Sequence, residues 1–142
     1  MTNIEFTTTI EVNAPKANVW DALINPEQIK KYLFGTNTIC DWKVGSPIRF
    51  TGEWDGKAYE DKGTILAIEK EIILSYDYWS SFSGVPDVTE NYQVVTFKLE
   101  GVDGKTQLNL TQQNIHSEEA NSHSEGNWKM VLNSLKELVE KE

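Results

Sequence analysis

The residues best suited to chemistry in this chain fall into a few small groups. His116, Glu118, Glu119, His123 and Glu125 crowd one short stretch. Imidazoles and carboxylates at such spacing can ligate a metal. The same stretch holds Asn114, Ser117, Asn121, Ser122 and Ser124, a solvated, turn-forming composition, and acids ahead of a helix have a plain dipole rationale. It therefore reads as a polar connection, with no metal and no cofactor. Glu60-Asp61 is a carboxylate pair of the kind that acid–base catalysis uses. Neighbouring strand residues point to opposite faces, so these two cannot share one substrate. Arg49 and Glu53 share one face of a strand, the arrangement of a surface ion pair worth about 0–1 kcal/mol. Trp54, Tyr76 and Tyr78 occupy inward positions on predicted strands. Around a cavity, such aromatics would line an apolar pocket, with their OH and NH groups orienting a ligand.

Alternation defines the elements that position these groups. Ile4, Phe6, Thr8, Ile10 and Val12 alternate with polar residues and predict a half-buried strand. Pro15 suits the first turn of a helix carrying Val19, Trp20, Leu23 and Ile24, with Asn13 or Ala14 at the cap. Asn25-Pro26 breaks it and starts a second helix with Ile29, Tyr32 and Leu33, ended by Gly35. Ile48, Phe50, Gly52 and Trp54 form a strand leading into Asp55-Gly56, a strong hairpin signal, with a return over residues 57–69. Ile72, Leu74, Tyr76 and Tyr78 make the next strand, and Ser80–Asp87 a loop. Two further strands flank Asp103-Gly104. Trp128, Val131, Leu132, Leu135, Leu138 and Val139 then recur at helical spacing. One strand, two helices, about six antiparallel strands and a long helix predict an α+β fold in a single domain over residues 1–142.

Composition narrows the partners. A chain of 142 residues buries roughly 68–70% of its unfolded surface, enough for a real core. The net charge of −9 argues against nucleic acid and against anionic membranes. No stretch approaches the ~20 apolar residues of a membrane span. Met1-Thr2-Asn3-Ile4-Glu5 lacks a signal-peptide pattern, so a cytoplasmic location is expected. Cys40 is the only cysteine and reads as a small buried hydrophobe in a strand.

Three segments carry a family resemblance. They are Ala14-Pro15-Lys16-Ala17-Asn18-Val19-Trp20-Asp21-Ala22-Leu23, then Asn25-Pro26-Glu27, and last Gly126-Asn127-Trp128 running through Leu132, Leu135 and Lys136. Across essentially its whole length the chain resembles the SRPBCC superfamily, with the helix-grip fold of START and birch-pollen-allergen-like proteins. Within it, the chain is similar to the family of the C-terminal domain of the activator of Hsp90 ATPase. Asn127 is inserted in the Gly-Trp pair of that family's closing helix. The resemblance implies a curved antiparallel sheet around the last helix, enclosing a cavity. Relatives bind lipids, sterols or aromatic compounds, or cyclise polyketides.

On that fold, Trp54, Tyr76 and Tyr78 are expected to line the cavity, with Trp128 and Leu132 opposite and Leu33 and Phe34 closing the mouth. His123, three residues before Gly126, matches a family histidine and is expected at the pocket mouth. The function expected is non-catalytic binding of a small apolar or aromatic ligand. Two alternatives stand beside it. One is a protein-interaction module related to the Hsp90 co-chaperones, which would expose an apolar patch. The other is a cyclase- or hydrolase-type enzyme, which would need Glu60, Asp77, His116 or His123 facing the cavity. Co-chaperone members carry an additional N-terminal domain that meets Hsp90; no such domain is read here, so direct Hsp90 binding is not expected. Homodimers suit such domains, but no pattern specifies an interface.

Overall fold

A computed structural model describes residues 4–33, 35–54, 56–80, 85–115 and 117–141, with Trp54 described by its backbone only. The chain runs β1 (Phe6–Val12), α1 (Lys16–Ile24), α2 (Pro26–Tyr32), β2 (Asn37–Cys40), β3 (Pro47–Trp54), β4 (Lys57–Glu69), β5 (Ile73–Ser80), a short 3-10 turn (Thr89–Asn91), β6 (Gln93–Val102), β7 (Lys105–Gln113) and α3 (Glu118–Glu140). The seven strands form one antiparallel sheet in the order β1-β7-β6-β5-β4-β3-β2. Only the β1–β7 pairing joins distant parts of the chain. The rest of the sheet is a meander, with α1 and α2 inserted between β1 and β2. The sheet curves around α3 in a helix-grip fold.

Period-two alternation explains which face each strand buries. Leu108, Leu110 and Gln112 of β7 point inward with Val95, Phe97 and Leu99 of β6. Leu74 and Tyr76 continue this face on β5, and Ile65 on β4. Val131, Leu132, Leu135 and Val139 of α3 cover it. Val19, Trp20, Ala22 and Leu23 of α1 and Ile29 and Tyr32 of α2 close one end of the core. The Tyr32 hydroxyl donates to the Ala22 carbonyl at 2.8 Å, fastening the two helices.

Local chemistry sets the boundaries. Pro15 is itself the N-cap of α1, in place of the expected Asn13 or Ala14, and provides no side-chain cap. Asn25 then caps α2, its side chain accepting from the Glu27 N–H at 3.1 Å. Asp103 and Gly104, with φ of 51° and 82°, make the β6–β7 hairpin turn that Asp-Gly predicts. Asp55, in the other expected hairpin, lies outside the described residues.

Gly63 marks the sharpest constraint in the sheet. A Cβ there would stand 1.7 Å from the Asp77 carbonyl oxygen. The Asp77 carboxylate meanwhile accepts from the Thr64 N–H at 2.8 Å. The β4–β5 register then shifts between Ile65 and Ala67. Close backbone approach, a side chain completing the ladder and a bulge together bend the sheet over its inner face.

Three expectations need correction. The polar stretch before Trp128 is not a loop: α3 already begins at Glu118. Ser117 accepts from the Ala120 N–H at 3.0 Å, and Glu118 and Glu119 sit in the first turn, where carboxylates favour the helix dipole. Cap and dipole outweigh the low helix propensity of Asn, Ser and His. Arg49 and Glu53 form no ion pair with each other. Cys40 is half-buried rather than in the core, because β2 is an edge strand. Among the described residues no helix is long and apolar enough to cross a membrane.

Candidate functional site

Between the concave sheet and the N-terminal half of α3 lies a cavity of about 380 Å³. Phe50, Tyr76 and Tyr78 form its floor, and Trp128 and Val131 its α3 wall. Leu33 and Thr36, on the chain leaving α2, line it together with Tyr59, Asp61 and Ser80. The exposed residues Glu53 and Asn127 mark its mouth. A ladder of rings runs beneath it. Phe50 and Tyr76 have centroids 5.7 Å apart, Tyr76 and Phe97 6.4 Å, and Phe97 meets Trp128 edge-on at 5.8 Å and 79°. These are the tilted and edge-to-face geometries that ring quadrupoles favour.

A buried amide organises the inner end. Gln112, fully buried on β7, accepts from the Trp128 indole N–H at 2.8 Å. Its NH₂ donates to the Tyr78 hydroxyl at 3.3 Å and to the Gln93 side-chain oxygen. This one side chain links α3 to β5, β6 and β7. With partners on both its oxygen and its nitrogen, Gln112 avoids the penalty of a buried orphan. The network also locks Trp128 and Tyr78 as cavity walls. On the opposite side, Tyr59 and Thr36 share a hydroxyl–hydroxyl bond of 2.5 Å. Gly52 lies opposite Tyr59 in the β3–β4 register, and a Cβ there would meet the Tyr59 hydroxyl at 2.6 Å. Glycine clears the space for that phenol.

Asp61 is the half-buried carboxylate of the cavity. It pairs in register with Phe50 and Ser80, so it shares their face. Desolvation pushes the Tyr78 phenol up to about 12; the negative charge of Asp61 adds to this, and the Gln112 bond opposes it. Burial likewise raises Tyr76 well above its ordinary value, followed by the neighbouring Tyr78, Tyr32 and Asp61. Both phenols are therefore neutral donors at neutral pH. Among the described residues no cluster of His, Cys, Asp and Glu could hold a metal.

Of the residues singled out from sequence, Leu33, Tyr76, Tyr78 and Trp128 lie together on this cavity. Leu132 lies beneath it, 2% exposed, against a gap of only about 30 Å³, and Val131 takes the wall position instead. Phe34, His116 and the Trp54 side chain lie outside the described residues. His123 is exposed and reaches the rim only through Asn127, with a nitrogen–nitrogen contact of 3.3 Å. Glu60 is exposed, and Asp77 faces the other side of β5 from Tyr76 and Tyr78. Sequence reasoning weighed Asp61 only as half of the Glu60-Asp61 pair, and missed Tyr59, Thr36 and Gln112. The available signal was register: Tyr59 and Asp61 share the inward face of β4, and Gln112 extends the Leu108–Leu110 alternation.

Comparison with known proteins agrees with this architecture. Protein ChR145 from Cytophaga hutchinsonii is 45% identical, with a TM-score of 0.86 over 99% of this chain and 97% of its own. Protein MLL2253 from Mesorhizobium loti is 22% identical, with a TM-score of 0.76 over 96% and 98% of the two chains. The Aha1 dimer from Colwellia psychrerythraea is 19% identical, with a TM-score of 0.77 over 96% of each chain. No curated protein matches the chain. The sequence pattern described as Activator of Hsp90 ATPase homolog 1-like protein matches residues 13–140. With its helix-grip sheet, its closing helix and that match across nearly its whole length, the chain belongs to the activator of Hsp90 ATPase homolog 1-like family.

Proposed function

We propose that this protein binds a small apolar or aromatic molecule in the cavity between the sheet and α3. The observation that carries this reading is the cavity itself: about 380 Å³ left open among Phe50, Tyr76, Tyr78 and Trp128 in an otherwise closely packed core. An aromatic-walled cleft of this size, apolar within and open to solvent at Glu53 and Asn127, has the dimensions and lining of a small-molecule site. Ligand burial contributes roughly 25 cal/mol per Å² of apolar area before the costs of association. The phenols of Tyr76 and Tyr78 supply orientation. Leu33 and Val131 supply apolar contact.

Native mass spectrometry of the purified protein, followed by denaturation, tests this reading. A released molecule of defined mass supports it. An empty protein that also shows no thermal shift across an aromatic and lipid library contradicts it.

The proposed setting is the cytoplasm, where the single thiol of Cys40 stays reduced. The Colwellia relative was solved as a dimer. The same assembly is proposed here, and light scattering at two concentrations checks it.

A further inference from the structure

We propose that the cavity selects ligands by charge: it takes aromatic molecules bearing an ammonium or similar cationic donor, directed at Asp61, and rejects their carboxylate counterparts. This rests on the binding reading above and adds the chemical class of the ligand. Among the described residues lining the cavity, Asp61 and Glu53 are acidic and none is Lys, Arg or His. The remaining polar groups are neutral hydroxyls and an amide, from Thr36, Tyr59, Tyr76, Tyr78, Ser80, Ser124 and Asn127. Lys62 points to the opposite face, where it pairs with Asp87 at 2.6 Å and lies 5.8 Å from the Trp79 ring. The field of Asp61 already acts on the cavity, since it raises the Tyr76 and Tyr78 phenols after burial does.

Two effects then act together on a ligand. A cation entering this space gains a carboxylate and several aromatic faces, the combination that recognises organic ammonium groups. A carboxylate entering the same space loses its hydration beside a like charge, with no cationic partner among the described lining residues. Glu53 at the mouth biases entry in the same direction.

Three probes of one shape test the proposal by calorimetry at pH 7 and moderate salt: 2-naphthylmethylamine, 2-naphthalenemethanol and 2-naphthoate. The expected order is ammonium, then alcohol, then carboxylate, with the first on the order of tenfold tighter than the second. Asp61→Asn should remove most of that preference, read as the ratio of the ammonium's affinity to the alcohol's in the same variant. A carboxylate that binds as well as the ammonium overturns the charge selection and leaves the binding reading standing. Failure of all three to bind overturns the proposal, while the binding reading is decided separately by the mass spectrometry and the ligand library. A preference that survives unchanged in a folded Asp61→Asn variant also overturns the proposal. If that variant does not fold, the ranking on the unaltered protein decides.

Discussion

The Trp128 indole N–H donates to the Gln112 side-chain oxygen at 2.8 Å, across the interface between α3 and the sheet. Trp128→Phe keeps the ring against Phe97 but leaves that buried oxygen without its donor. A cost of about 1–3 kcal/mol is expected, read from urea unfolding. A loss within experimental error would show that the bond does not hold the cavity wall.

Gly63 and Gly126 should respond oppositely to alanine. Gly63→Ala drives a methyl into the Asp77 carbonyl, a backbone atom that cannot step aside. It should cost more than about 3 kcal/mol or prevent folding. Gly126 lies on the exposed side of α3 with nothing near its missing Cβ. Gly126→Ala should stabilise by about 0.5–1 kcal/mol. Thermal melts of the two variants check both signs.

Alkaline pH should unfold the protein through its buried phenols. Tyr32, Tyr76 and Tyr78 all have their ionisation raised, chiefly by burial. The unfolded chain gives up these protons near the ordinary value of 10.0, so their contribution is intact below that pH. Above it, the unfolded state binds fewer protons than the folded one, and stability falls until the folded phenols titrate. Tyrosinate absorbance should accordingly rise late and together with unfolding. Replacing Tyr78 by Phe should soften the alkaline limb.

The outer face carries a small acid-sensitive contact. Lys62, and then the Tyr92 hydroxyl at 2.6 Å, hold Asp87 below the usual carboxylate range. A depressed folded pKa stabilises above the unfolded value, and the benefit is lost as pH falls through the folded one. Asp87→Asn should therefore reduce the difference in stability between neutral and strongly acidic pH. The carboxylate lies at the surface, so the effect is small. Melting temperatures compared at those two pH values check the sign.

The strands were legible because inward residues recur at every second position, as in Leu108, Leu110 and Leu74, Tyr76. The early start of α3 was not, because Ser117 to Glu125 has the composition of a loop and is held helical by a cap and by charge at its first turn. Helical spacing found the apolar stripe of α3, but its 3.6 period does not say which flank borders empty space. Val131 does, while the adjacent Leu132 packs beneath it. Asp61 was weighed only as one of an adjacent carboxylate pair, and its inward direction was not read, for a related reason. A charged strand residue ordinarily faces solvent, and only its pairing with Phe50 reveals that it faces inward. Gln112 looked like one more polar residue near a strand end until its three partners were seen together.

The most direct test of the central claim is a proton–nitrogen NMR titration of the protein with 2-naphthalenemethanol. Binding in the cavity predicts saturable shifts of the Trp128 indole resonance and of the Asp61, Tyr76 and Tyr78 amides, with little change on the outer face of the sheet. An unmoved Trp128 indole at saturating probe, or shifts confined to the outer face, would contradict it.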